Sequence, residues 1–549
     1  VPLQVQSRLL ARALSQAVDE RRRRMALPRS EPPADAAGAR QAMNGAAEPA
    51  ISAELRSHPA SVPAVASSIA MTVILAACGG GGGGGGSSTD ASASAAAAAQ
   101  PVQAVQAAVP LTVTNAQGSA ETISTAGTLS TTGNLFFQPL GNGRSCASCH
   151  DVNAGWTLTP QVLASRFSAS NGTDPVFKPV DGANSPLAPV ATVAERRSAY
   201  SMLLSRGVIR IGLPMPAQAQ FTLSAVDDPY AYASAAQLSL FRRPLPAANL
   251  KFETAIMWDG RETVTEAASA DCIKGSEPAL CFGTTTAGLM QQANNAVVTH
   301  AQDALGLTNA QQSQVVGFEA ALFDAQVSAN AAGALTAAGA GGGPQALAQT
   351  PFYFGINDAF AGDYQTGAPF NPNSMSLFRS WISISAPDPQ SQARASIARG
   401  EQVFNTRRFA ITGVTGFNDV LAQPSVQGTC TSCHSTPNVG NSSVPRYMNT
   451  GVAAAVRRTP DMPLYTLTNS TTGAVVQTSD PGLALQTGRW ADVGKMKVPA
   501  LRGLAARPPY FHDGSAADVQ AVIGFYNHRF NIGFSPQEAA DLAAFLGAL

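Results

Sequence analysis

Charge is sparse in this chain. Only 13% of its 549 residues are Asp, Glu, Lys or Arg, and 35 basic side chains balance 35 acidic ones. Without a basic excess there is no electrostatic footprint for a phosphate backbone, which argues against a nucleic-acid partner. The one dense basic cluster, Arg21 to Arg24, lies in a polar stretch without a core-forming pattern. Long apolar runs are missing too. Val62 to Ala77 is mostly small and apolar but too short for a comfortable membrane-spanning helix. Histidine is scarcer still: His58, His150, His300, His434, His512 and His528 are all there is. A site that needs imidazole must draw on these six.

Against these absences, 549 residues are enough for two or three domains with real cores. Residues 1–100 read as leader and tether. The end of the apolar run, MTVILAAC, resembles the lipobox of bacterial lipoproteins, which makes Cys78 the expected lipid anchor. Gly79 to Gly86 and the Ser/Ala-rich stretch after it form a flexible tether. This reading puts the start of translation downstream of Val1, at Met25 or Met43. Beyond the tether the expectation is a mainly α-helical protein of two domains with long loops. The first spans 125–385 and carries insertions; the second spans 390–549. LTNAQQSQVVGFEAALFDA reads as a helix with Thr308 as N-cap, Gln311 closing a capping box and Leu322 on its apolar face. SPQEAADLAAFLGAL reads as another, capped by Ser535 and Glu538. Ala331 to Gly343 reads as a surface loop. No strand series stands out.

Seven cysteines remain to be assigned. Four form two motifs, CASCH (Cys146, Cys149, His150) and CTSCH (Cys430, Cys433, His434). Two thiols one helical turn apart can form thioethers with the vinyl groups of one haem, and the following histidine then reaches its iron. A redox pair or a zinc half-site would leave the histidine after each pair unexplained. The reading is therefore two covalently bound c-type haems, with His150 and His434 as proximal ligands, and the two domains are expected to be cytochrome c-like haem domains. Cys272 and Cys281 flank a short polar loop. They are either two free thiols or a disulfide, and an exported chain favours the disulfide.

GNLFFQPLGNGRSCASCH, MWDGRETVTE, RGEQVFNTRRF and KVPALRGLAARPPYFHDGSAADVQAVIGFYN together resemble the bacterial dihaem cytochrome c peroxidases, including the MauG proteins. The resemblance covers most of residues 130–549. It implies that the haem at Cys146, Cys149 and His150 is the peroxide site and the other relays electrons. It also implies an acid–base glutamate eight residues after the WDGR tryptophan, which is Glu266. The family's distal glutamine falls on Ile256, which cannot hydrogen-bond peroxide. The tryptophan between the haems of relatives falls near Leu245 and Pro246, where there is none; Trp156, Trp490 or Phe241 are the substitutes to consider. The sixth ligand of the second iron falls on Tyr526, as in MauG-like proteins, with Met448, Met462 or Met496 as alternatives. The family's calcium ion maps onto the backbone carbonyls of Arg507 and Pro509. The implied function is an exported, periplasmic oxidoreductase. It would take hydrogen peroxide, and either electrons from a small redox protein (cytochrome c or cupredoxin) or a protein substrate. Its only membrane contact would be through a lipid anchor. The alternatives are a dihaem electron carrier without peroxide chemistry and a dihaem oxygenase of the rubber-cleaving type.

Overall fold

The computed structural model describes residues 110–549 except 277. The leader, the tether and Cys78 lie outside the described residues. Six helices of eleven or more residues carry the described fold: α1 Pro160–Ser170, α2 Thr285–Thr299, α3 Asn309–Ala320, α4 Pro389–Thr406, α5 Val519–Phe530 and α6 Pro536–Gly547. Their starts are written in local chemistry. Thr308 and Gln311 form the expected capping box on α3, and Ser535 and Glu538 form the one on α6, behind a proline in the first turn. Asp388 caps α4 by accepting from the Ser391 N–H.

α4 and α6 cross closely, and this crossing is the centre of the C-terminal core. Ile397, Phe404, Leu542, Phe545 and Leu546 are buried there, with Phe378 and Trp381 packed on the same cluster. The close approach depends on Gly400, because a Cβ at that position would overlap the Asp541 carbonyl of α6. Asp541 in turn accepts from Arg399 and Ser396 of α4. Gly400→Ala is expected to push the helices apart and cost about 1–3 kcal/mol. A thermal melt checks this; an unchanged midpoint would mean that the helices have room to give.

The expectation that no strand series stands out is corrected. Thirteen strands in five sheets occur among the described residues, all of the pairings antiparallel. The largest sheet has the order Leu111–Asn115, Gly118–Ser124, Leu322–Ala329, Gly333–Ala334. It places folded chain ahead of residue 125. It also ends α3 at Ala320, so Leu322 belongs to a strand and not to the helix. Residues 331–343 are not merely a surface loop, since Ala332 and Leu335 are buried in the C-terminal core.

The two expected haem domains interlock. The strand Leu464–Asn469 comes from the C-terminal half, yet it pairs with Phe221–Asp227 of the N-terminal half. Tyr465 Oη donates to the Ser239 carbonyl and accepts from its N–H, both at 2.8 Å. The antiparallel strand pair Ile209–Leu213 and Leu238–Arg242 is packed on this sheet through one core cluster. Its second strand delivers Arg242, and the residues that follow, to the middle of the protein.

Candidate functional site

CASCH and CTSCH adopt the same local structure. Each is a single turn, Cys146–Ser148 or Cys430–Ser432, closed by reciprocal bonds between the residue before it and its last serine. The second cysteine N–H reaches the first cysteine's carbonyl at 3.1 Å and 3.3 Å, and the histidine N–H reaches it at 3.0 Å and 3.1 Å. Each histidine is then fixed by a carbonyl six residues on. His150 Nδ1 lies 3.1 Å from the Trp156 carbonyl oxygen, and His434 Nδ1 lies 2.5 Å from that of Gly440. With Nδ1–H donated to a carbonyl, the lone pair is left on Nε2, as a metal-ligating imidazole requires. Burial pushes both imidazoles below the ordinary histidine range, more than the carbonyl bonds raise them.

Each turn lines its own cavity. The cavity at Cys146, Cys149 and His150 encloses about 1300 Å³ of empty space, mouth included. The one at Cys430, Cys433 and His434 encloses about 1630 Å³. Arg243, Pro244, Leu245, Pro246, Trp258 and Lys497 line both, so the two cavities share one wall.

That wall is tightly built. Trp258 Nε1 donates to the Arg243 carbonyl at 2.8 Å, and its ring lies edge-on to His512, 6.3 Å between centroids. The next residue, Asp259, is fully buried and pairs with Arg242 at 2.6 Å; Arg242 also holds Asp480 at 2.7 Å and 2.9 Å. Gly260 follows with φ 75°, and a Cβ there would run into the Tyr447 ring. The Trp-Asp-Gly-Arg segment is thus clamped from both halves of the chain.

A c-type haem is a flat apolar ring with two carboxylate arms. The described residues fit it twice, with two thiols, one oriented imidazole and apolar walls in each cavity. Counter-charge is present as well. Arg243 is buried, and its guanidinium donates only to the carbonyls of Leu158, Arg507 and Arg206, at 2.7, 3.1 and 3.3 Å. Burial, with the Arg507 charge beside it, pushes it down to about 9. Both ring nitrogens of buried His512 lack a hydrogen-bond partner. Such groups are costly unless an anion or acceptor meets them.

The remaining expected site residues divide. Tyr526 lines the cavity of His434, as do Met448 and Met496, whereas Met462 is buried elsewhere, with Met202, Val208 and Phe241. Burial pushes the Tyr526 phenol up to about 12. Ile256 lines the cavity of His150. Glu266 does not line it: its side chain is exposed, beside the Cys272–Cys281 disulfide. The carboxyls that do line it are Glu253, paired with Lys497 at 2.6 Å, and Glu319. Glu319 is buried with Oε2 unpartnered, and burial pushes it up to about 8. Nothing in its surroundings along the chain distinguishes it from an ordinary helix carboxylate.

Leu245 and Pro246 fall in the shared wall, but Trp156, Trp490 and Phe241 line neither cavity. The tryptophan that does is Trp258, read from sequence only as part of a motif. Arg507 and Pro509 line the second cavity. The Arg507 carbonyl already accepts from the Arg243 guanidinium, a poor neighbour for a divalent cation, so the calcium expectation does not fit there. Among the described residues no group of three or more His, Cys, Asp or Glu could hold a metal ion, and no helix is long and apolar enough to cross a membrane.

No protein-family model matches the chain. The cytochrome c551 peroxidase of Nitrosomonas europaea is 34% identical over 121 residues, 22% of this chain and 30% of that protein. The cytochrome c peroxidase IdrP1 of Denitromonas iodatirespirans is 35% identical over 81 residues, 13% of this chain and 22% of that protein. The matches thus span less than a third of these relatives' length. Among solved structures, a MauG-like protein associated with microbial copper homeostasis matches at 14% identity and TM-score 0.33, over 76% of this chain and 86% of its own. A variant of the dihaem peroxidase BthA from Burkholderia thailandensis matches at 16% and 0.27, over 75% and 83%.

Two Cys-x-x-Cys-His turns, each lining its own cavity, give the chain two sites whose residues fit a c-type haem. Over the matched part of its length the chain is similar in sequence to bacterial cytochrome c peroxidases.

Proposed function

We propose that the chain is an exported dihaem oxidoreductase of the peroxidase/MauG type, which reduces hydrogen peroxide or uses it to oxidise a partner. The observation that carries the reading is the pair of Cys-x-x-Cys-His cavities separated by one wall. Cys146 and Cys149 would attach one haem and Cys430 and Cys433 the other, with His150 and His434 as the iron ligands. The bound haems supply the iron at which peroxide is cleaved and through which electrons are stored. Reduction of one peroxide to two waters takes two electrons and two protons.

The chain's own residues divide that work. Glu319 is a carboxyl that burial pushes up to about 8, and it lines the first cavity, which suits it to hold or pass a proton. Glu266 could take part only by leaving the surface. Trp258 places an aromatic ring in the wall between the cavities. Tyr526 would be the sixth ligand of the second iron, whose charge would offset the burial that disfavours phenolate. Electrons would come from a small redox protein such as a cytochrome c or cupredoxin, or from a protein substrate. Export is part of the proposal, with a periplasmic location and a lipid anchor at Cys78.

Two haems per chain and an oxidised EPR spectrum with a high-spin component are expected, and this component should change when peroxide is added. A spectrum that is wholly low-spin and unmoved by peroxide, before and after partial reduction, would leave an electron carrier. Cleaved organic product formed from dioxygen without peroxide would indicate an oxygenase. Tyr526→Phe should change the spectrum of one haem and leave the other; if both spectra are unchanged, Tyr526 is not a ligand.

A further inference from the structure

We infer that Arg243 is a counter-charge shared by both cofactors and that it sets their two reduction potentials together. The inference rests on the dihaem reading and goes beyond it by naming one group that acts on both sites. Arg243 lies in the wall and lines both cavities. It is 5% exposed, and among the described residues its guanidinium meets three carbonyl oxygens and no carboxylate. Carbonyls solvate a cation partly but cannot neutralise it. A buried charge without an opposite charge costs several kcal/mol, so the fold holds Arg243 in place for an anion that the chain itself does not provide. The cofactor proposed for each cavity carries carboxylates, and Arg243 borders both.

The neighbouring cations do not share this position. Lys497 also lines both cavities, but Glu253 neutralises it at 2.6 Å, and its ammonium donates to the Ala255 carbonyl as well. Arg242 lines the first cavity and is held between Asp259 and Asp480. Arg507 lines only the second, and its guanidinium donates to the Ala500 and Arg502 carbonyls. Arg243 is therefore the one cation in the described wall that borders both cavities and has no acidic partner.

Electrostatics then fixes the sign. Adding an electron lowers the charge of an iron centre, and a nearby cation favours the lower charge. Deleting the cation lowers the potential. Because Arg243 borders both cavities, both potentials should fall. A spectroelectrochemical titration of the holoprotein reads this directly, without any turnover assay. Wild type should give two midpoint potentials, both lowered in Arg243→Gln. Arg507→Gln, at the second cavity alone, should lower one. Arg243→His covers the case in which Gln at this position does not fold. Its charge is present only at low pH, so both potentials should fall together as pH rises through the imidazole pKa, beyond any change in wild type. If Arg243→Gln moves one potential or neither, or if only one tracks pH in Arg243→His, the inference is overturned while the dihaem reading stands. Fewer than two haems in wild type would overturn that reading and the inference with it.

Discussion

Arg242→Met should be among the most destabilising substitutions in this protein, costing at least about 3–5 kcal/mol. Arg242 is the last residue of the strand Leu238–Arg242 and is 2% exposed. Its Nη1 reaches Asp259 at 2.6 Å, and its Nε and Nη2 reach Asp480 at 2.7 Å and 2.9 Å. Asp259 belongs to the segment that forms the shared wall; Asp480 comes from the C-terminal half. Without the guanidinium, two buried carboxylates face each other's charge, and what remains close is Arg261, 3.1 Å from Asp259, and the His512 imidazole, 3.9 Å from Asp480. Methionine fills the volume but supplies neither charge nor donors. The pH dependence separates lost charge from lost packing. Burial alone would raise both aspartates, but the Arg242 charge overrides it and holds them below the ordinary carboxylate range. Their contribution in wild type is therefore complete above the unfolded value of about 3.9 and disappears as pH falls through the lower folded values. In the variant the same carboxylates lose their counter-charge and bind protons more readily than in the unfolded chain. The gap between variant and wild type should thus be wide at pH 7 and narrow toward pH 4 in denaturant titrations. A gap of constant size would assign the effect to packing alone.

This network also shows what could and could not be read beforehand. The attachment motifs were legible because haem chemistry demands fixed residues at fixed local spacing. The caps of α3 and α6 were legible for the same reason, since a capping box is complete within four residues. The strands were not. Leu238–Arg242 is buried along its whole length, so it shows no alternation to distinguish it from a short helical run. Leu464–Asn469 does alternate, with Tyr465, Leu467 and Asn469 buried, and pairs on one edge with nearby Val475–Thr478, but its other partner lies more than two hundred residues away. The run from Thr308 to Ala329 changes from helix to strand near Ala321 without a glycine or proline to mark the change. Within the site, Tyr526 and Ile256 reached their cavities by a count from recognised motifs. The same count puts Glu266 on the surface. It could not find Glu319, Arg243 or the bridging position of Trp258, because those depend on which distant segments close around a cavity.

The paired substitutions Cys146→Ser with Cys149→Ser, and Cys430→Ser with Cys433→Ser, should each halve the haem that stays bound after acid–acetone extraction, yet differ in their effect on the fold. Removing both thiols removes both thioether bonds at one site and leaves the other intact. The remaining void is then a matter of packing, because a cavity of this size cannot stay empty in an interior as dense as a protein core. The second cavity is walled by Phe404 of α4, Ile523 of α5 and Leu542 and Leu546 of α6, all members of the C-terminal core. Its cofactor would fill the centre of the three-helix crossing that Gly400 makes possible. The first cavity is bounded by Ala293 and Val297 of α2 and Val315 of α3, and the antiparallel sheet that α3 leads into needs none of that cavity to pair its strands. The second pair should therefore lower the thermal midpoint much further than the first and open α4 to α6 to limited proteolysis. Equal losses from the two pairs would mean that the cofactors stabilise the fold alike. Undiminished covalent haem in either variant would refute attachment at that motif.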